Sequence, residues 1–220
     1  MATRGLLFDQ APPPSVPLRF LLTAPWFAVL AAALLAWAGP DAVASRWTPA
    51  LLGVTHLLTL GFMAMTMLGA LFQILPVVGG APLPGARTVA SIVHPALALG
   101  ALALAIGMTL GMQWAIRAAL ALLAAAFIVF LVPAARCLLR GNLRDPALRT
   151  IGLALLGLLL AISLGATMAT AFGWAFALPL VRLTALHTAW GLLGWTVLLV
   201  AGVAQQVVPM FQATAPYPQW

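Results

Sequence analysis

The sequence predicts an all-α integral membrane protein, a bundle of six transmembrane helices with no water-soluble domain of its own. Two observations carry this prediction. The 220 residues are 64% hydrophobic and only 6% charged, whereas about a quarter of the residues in a soluble domain are charged. The chain also contains six continuous apolar runs, each long enough to cross the hydrocarbon core, which takes about 20 helical residues.

Segments rich in turn-forming residues separate the apolar runs, and this order defines the predicted organisation. The runs cover residues 19–38, 49–76, 88–110, 114–138, 148–173 and 179–211. Gly, Pro, Asp or Arg interrupts the chain between them, as in Gly39-Pro40-Asp41, which marks a turn. Because the runs are continuous rather than alternating, β-strands are not expected. We therefore predict a cytoplasmic N-terminal segment at 1–18, a transmembrane domain at 19–213 and a C-terminal tail at 214–220.

The charged residues indicate membrane topology rather than a nucleic-acid partner. Lys and Glu are absent, and the ten arginines lie between apolar runs instead of along one amphipathic face. If the N-terminus is cytoplasmic, seven arginines fall on the inner side and three on the outer side. The positive-inside rule then predicts that both termini are cytoplasmic (N-in/C-in). The single cysteine excludes a disulfide framework within one chain and a Cys-based metal cluster.

The second and sixth apolar runs share a sequence pattern. The pattern G-x7-G-x3-Q-x2-P begins at Gly61 in the second run and at Gly194 in the sixth. Both runs are predicted to cross the membrane from outside to inside, so the repeat relates two parallel helices. Each run also carries a histidine before the pattern begins.

Those histidines, His56 and His187, are the strongest candidates for a functional site, because ionisable residues inside a membrane are costly and usually functional. Each lies seven or eight residues from the outer end of its run, which corresponds to roughly 10–12 Å of helix. Two neutral imidazoles at one depth on parallel helices can ligate a single haem iron from opposite sides. The alternative is that both histidines only form interhelical hydrogen bonds.

Neighbouring residues are consistent with a haem at this depth. Gly191 and Gly194 share a helical face with His187 and would leave room for a flat macrocycle, although small residues also allow helices to pack closely. Arg182 and Arg46 lie in the same outer zone and are candidate partners of the haem propionates, as is Arg117. The alternative for each arginine is an ordinary interfacial position.

His94 is predicted to lie near the inner side, about 10 Å or more in depth from the other two histidines, judged by helix rise. A second metal or a quinone is one interpretation of His94. A polar anchor that faces other helices is the better one. The remaining metal hypothesis is a copper site that uses the same histidines. A proton-coupled transporter is disfavoured because no acidic residue lies within any apolar run.

The segment from His56 to Arg87 resembles the second helix of subunit I of haem–copper oxidases, where a histidine ligates the low-spin haem. The segment from His187 to Pro209 resembles the tenth helix of that subunit, which supplies the opposite axial histidine. The similarity is greater still to short subunit-I-like membrane proteins of proteobacteria, and more distant to the NnrS family. The resemblance implies haem b, a bacterial inner membrane, a redox partner, and completion of the architecture by a homodimer or a second membrane subunit.

The chain also departs from the oxidases in ways that restrict its activity. The oxidases have twelve helices, and their binuclear centre needs another histidine two residues before the low-spin ligand. This chain has Ala185 at that position, has no His-His pair, and has its only tyrosine, Tyr217, in the tail. The resemblance therefore implies a low-spin haem site and argues against oxygen reduction by this chain alone. We expect electron transfer or a function related to NO or O2. The alternatives are a copper- or metal-handling protein and a non-catalytic assembly or scaffold subunit.

Overall fold

The computed structural model describes residues 7–215 and 217, and these form a helical bundle without any strand. Six helices in this part of the chain are long and apolar enough to cross a membrane. They are α1 (Ser15–Ala38), α2 (Pro49–Gly79), α3 (Ala86–Leu110), α4 (Gln113–Arg140), α5 (Pro146–Trp174) and α6 (Leu180–Gln212). Two short 3₁₀ helices, Phe8–Gln10 and Pro40–Val43, complete the secondary structure. For the residues that the structure describes, the predictions of an all-α fold and of six helices able to cross a membrane are confirmed.

Two helices, α1 and α2, extend furthest beyond one end of their apolar runs. α1 begins at Ser15, within the predicted N-terminal segment, because Val16 and Pro17 are buried and a proline is tolerated in the first turn of a helix. α2 continues past Pro76 to Gly79, so this proline lies inside the helix instead of ending it. Of these two prolines, only Pro76 is an interior proline, a residue that usually stops a helix.

Side-chain caps and left-handed glycines determine where several helices begin and end. The Asp145 carboxylate accepts a hydrogen bond from the Leu148 backbone N–H at 3.1 Å and so caps the start of α5. The Thr48 hydroxyl caps α2 in the same way, at 3.4 Å from the Leu51 nitrogen. α3 ends at Leu110, and the next residue, Gly111, has a φ of +67°, a left-handed conformation that favours glycine.

The helices pack against their neighbours in sequence, and α2 occupies a central position because it also contacts α4 and α5. Three buried phenylalanines pack against one another in the core of the bundle. The ring centroids of Phe20 and Phe72 are 5.2 Å apart, and those of Phe72 and Phe130 are 5.4 Å apart. α6 lies at the edge and packs mainly against α5. None of the side chains in its first ten residues, Leu180–Ala189, is fully buried.

The sequence repeat of α2 and α6 is also a structural repeat. An eight-residue π-helical segment interrupts α2 at Leu57–Ala64 and α6 at Trp190–Val197, and these ranges are offset by the same number of positions as Gly61 and Gly194. π-helical turns are rare and occur frequently at functional sites. The equivalence of the two segments shows that α2 and α6 share a local backbone irregularity as well as a sequence pattern.

The repeated glycines face the preceding helix in both halves of the molecule. A Cβ on Gly61 would overlap the ring of Phe27 on α1. A Cβ on Gly194 would first meet the Trp190 ring of its own helix, but the Gly194 backbone packs against α5, where a Cβ on Gly157 would overlap the Gly194 carbonyl. Gly202 likewise faces Ile151 of α5, with a Cβ–Cγ1 distance of 3.0 Å. Small residues that let helix backbones approach closely are the usual means of helix association in membranes. The repeat is therefore a pair of packed helices, α1 with α2 and α5 with α6.

Candidate functional site

His56 and His187 occupy the same position along their helices. Each is the eighth residue of its helix, counted from Pro49 in α2 and from Leu180 in α6. Both side chains are half-buried. In the register of the repeat, His187 lies two residues nearer the start of its helix than His56, a shift of about 3 Å. The structure thus places both histidines in corresponding parts of two helices, just before the π-helical segments.

The two imidazoles have the same hydrogen-bonding arrangement. Nδ1 of His56 lies 2.8 Å from the Leu52 carbonyl oxygen, and Nδ1 of His187 lies 2.9 Å from the Ala161 carbonyl oxygen. A carbonyl oxygen only accepts, so in each neutral ring Nδ1 carries the proton and donates it, and Nε2 holds the lone pair. Neither Nε2 atom has a hydrogen-bond partner among residues 7–215 and 217.

This donor set fits haem. A metal-ligating histidine usually donates its other ring N–H to a carbonyl or carboxylate, which fixes the tautomer and the ring orientation. Two nitrogen ligands suffice for haem iron because the macrocycle supplies the other four, whereas a structural zinc site takes four ligands from the protein.

Interhelical hydrogen bonding, the alternative for these histidines, accounts for part of this geometry. Ala161 belongs to α5, so the Nδ1 bond of His187 does join two helices. The corresponding bond of His56 stays within α2, since Leu52 lies one turn earlier in the same helix. Neither bond involves Nε2, so among the described residues both Nε2 atoms remain available to a ligand.

Gly191 and Gly194, the two glycines expected to leave room for a macrocycle, have different surroundings in the structure. A Cβ on Gly191 would have only the Cβ of Ala161 within 4 Å, at 4.0 Å, so the space beside Gly191 is open. Gly194 instead packs against the backbone of Gly157, whose own Cβ would overlap the Gly194 carbonyl. Close helix packing therefore explains Gly194, and only Gly191 offers space beside His187.

The three arginines predicted as candidate partners of the haem propionates differ in their surroundings. Arg182 is exposed, and Arg46 is exposed with its guanidinium 5.0 Å from the ring centroid of Trp47. Arg117 donates a 2.7 Å hydrogen bond from Nε to the Gly173 carbonyl and lies 5.0 Å from the ring centroid of Trp174. Arg117 thus ties α4 to the end of α5, while Arg182 and Arg46 keep exposed guanidinium groups.

His94 is an anchor between helices, as the better interpretation of the sequence predicted. Its Nε2 lies 2.9 Å from the Thr23 hydroxyl oxygen on α1. Thr23 donates its own hydroxyl proton to the Arg19 carbonyl at 2.8 Å, so it accepts from the Nε2–H of His94. The imidazole also packs edge-on against Phe20, with the ring centroids 5.2 Å apart. His94 therefore joins α3 to α1.

Replacing Thr23 by valine is expected to destabilise the protein by about 1 kcal/mol, because the Nε2–H of His94 loses its acceptor. Thermal unfolding in detergent measures this effect. Thr66→Val is the matched control, since the Thr66 hydroxyl bonds only to the Phe62 carbonyl of its own helix. Equal stability of the two variants would contradict an anchoring role for His94.

Sequence reasoning missed the contribution of α5 to the site. Ala161 supplies a backbone carbonyl, and a Cβ on Gly165 would lie 2.9 Å from Cε1 of His187. Every residue has a carbonyl group, and Gly165 is one of several glycines in an apolar helix, so neither residue carries a signal that a sequence pattern could reveal.

Compared with models of known protein families, with curated proteins and with solved structures, the chain shows no match. Within the residues that the structure describes, no group of three or more His, Cys, Asp or Glu side chains is placed to hold a metal ion. The geometry of the paired histidines is therefore the main structural indication of function.

Proposed function

We propose that this chain is a membrane-embedded b-type haem protein in which His56 and His187 are the two axial ligands. One observation carries the proposal: both rings donate Nδ1–H to a backbone carbonyl and leave Nε2 without a partner among the described residues. When bound, haem would supply one-electron exchange at its iron. The resemblance of α2 and α6 to the helices that hold the low-spin haem of oxidase subunit I supports the same function.

The protein's own residues have distinct roles in this proposal. The Leu52 and Ala161 carbonyls keep the proton on Nδ1 and hold each ring in one orientation. Gly191 leaves space beside His187. Arg182 and Arg46 offer positive charge to the propionates at the predicted outer end of the bundle.

Electron transfer is the activity that a pair of histidine ligands favours, because six-coordinate iron has no open position. Binding of a gas such as NO or O2 would require one histidine to leave. We place the chain in a bacterial inner membrane with both termini inside, as the arginine distribution and the oxidase resemblance imply. A homodimer or a second membrane subunit would complete the assembly, and a separate redox partner would exchange electrons with it.

An optical spectrum of the full-length protein, purified in detergent from haem-replete bacteria, tests the proposal. We expect a Soret band, split α and β bands on reduction, and iron without copper in metal analysis. A folded but colourless protein would overturn the proposal. Copper in place of iron would then identify a copper-handling protein, and a folded protein without any metal would indicate a scaffold subunit.

A further inference from the structure

The imidazole of His187 occupies a gap in the surface of α5. A Cβ built on Gly165 would lie 2.9 Å from Cε1, 3.3 Å from Nδ1 and 3.8 Å from Nε2 of His187. Real Cβ atoms essentially never approach another heavy atom more closely than 3.0 Å. The ring therefore fills the volume that the side chain of any other residue at position 165 would occupy.

The same ring is also hydrogen-bonded to α5, the helix that contains Gly165. The Ala161 carbonyl, one helical turn before Gly165, accepts the Nδ1–H bond at 2.9 Å. A carbonyl oxygen has two lone pairs, so Ala161 can accept this bond as well as a bond within its own helix. Because the ring is tethered, it cannot yield as the free end of a flexible side chain would.

We propose, on the premise of the haem site above, that Gly165 and the Ala161 carbonyl together form a histidine seat that positions Nε2 of His187. Gly165 is a positioning residue, since it acts on the site through His187. A methyl group at position 165 pushes the ring outward and breaks its bond to the Ala161 carbonyl. Nδ1 then loses the hydrogen bond that fixes the tautomer, and the orientation of Nε2 is no longer fixed.

The seat makes the two axial histidines unequal. His56 is held by the Leu52 carbonyl of its own helix, so its orientation does not depend on how another helix is docked. His187 is held by a different helix, so its orientation depends on the contact between α5 and α6. His187 is therefore the ligand whose Nε2 would be displaced by a change at this contact, while His56 would keep its orientation, and a small gas could bind only if His187 were displaced.

Gly165→Ala tests the seat, with Gly152→Ala on the same helix as the matched control. A Cβ at position 152 would meet Cδ2 of Leu138 at 3.0 Å, at the flexible end of a side chain that can move aside. In the haem-loaded protein we expect Gly165→Ala to reduce haem affinity by about tenfold or more, the usual effect of losing a hydrogen bond to a metal-ligating histidine. We also expect a high-spin fraction that binds CO on reduction, while Gly152→Ala keeps the wild-type spectrum.

A double-mutant cycle with His187→Ala tests the same contact in the full-length protein without haem. Gly165→Ala should lower the unfolding temperature when His187 is present and leave it unchanged, or raise it, when His187 is alanine, because the clash has then been removed. If Gly165→Ala folds only in the His187→Ala background, the seat is likewise supported. An equal effect in both backgrounds, or a failure to fold in both, would overturn it.

The two measurements separate failure of the seat from failure of the proposed function. Coupling between Gly165 and His187 in a protein that binds no haem would sustain the steric seat and reject the haem site. A wild-type spectrum in Gly165→Ala, together with no coupling, would reject the seat and leave the haem site standing.

Discussion

Alanine in place of His56 or His187 is expected to abolish the low-spin haem spectrum of the purified protein. In the proposed haem site each imidazole would supply one axial nitrogen, and the third histidine of the chain, His94, is hydrogen-bonded to Thr23 on another helix. No other histidine exists to replace a lost ligand. The variants should show either high-spin iron held by the remaining histidine or loss of haem altogether, as measured by reduced-minus-oxidised spectra and the haem content of the protein.

His94→Ala is the control for both histidine variants. It removes an imidazole from the same protein but only breaks the hydrogen bond between α3 and α1, so the low-spin spectrum should persist. An unchanged spectrum in His187→Ala would refute ligation by His187. Loss of the spectrum in a folded His94→Ala variant would identify His94 as a ligand and refute ligation by His56 and His187 alone.

Gly157→Ala is expected to cost about 3 kcal/mol of stability, at the upper end of the range for overpacking, and to remove bound haem. A Cβ at position 157 would overlap the carbonyl carbon and oxygen of Gly194. These are backbone atoms that cannot rotate aside, so α6 must move away from α5. Because α6 packs mainly against α5, this movement also separates His187 from the Ala161 carbonyl.

Thermal unfolding in detergent and haem content measure this effect, and Gly152→Ala is again the control. Its new methyl group meets a side chain that can move, and alanine is favoured over glycine in a helix by up to about 1 kcal/mol. We expect the control to be neutral or slightly more stable than the wild type. Equal stability and haem content of Gly157→Ala and Gly152→Ala would show that the contact between α5 and α6 at Gly157 is unimportant.

The sequence was sufficient to predict the number of helices and nearly all of their boundaries. Hydrocarbon thickness imposes a minimum length on every apolar run, and turn residues mark the breaks between them. The largest differences are at prolines: Pro17 lies in the first turn of α1, where a proline is tolerated, and Pro76 lies inside α2. A proline near or within a helix is compatible with that helix when surrounding contacts compensate, and those contacts belong to other helices.

The sequence also located the candidate histidines but not what surrounds them. It placed His56 and His187 at matching positions, and the structure makes each of them the eighth residue of its helix. It did not distinguish Gly191, which faces open space, from Gly194, which packs against Gly157. The two glycines share a helical face with His187 in the sequence pattern, and only the docking of α5 separates their roles.

The six long apolar helices, the repeat shared by α2 and α6, and the matching positions of the two histidines along their helices were therefore predictable from the sequence alone. These features depend only on hydropathy and on the spacing of residues along one chain. Only the tertiary structure decided which nitrogen of His187 is bonded, that Ala161 accepts the bond, and that Gly165 makes room for the ring. The physical reason is that the faces of apolar helices are chemically alike, so small steric differences between glycine and larger residues select the contacts.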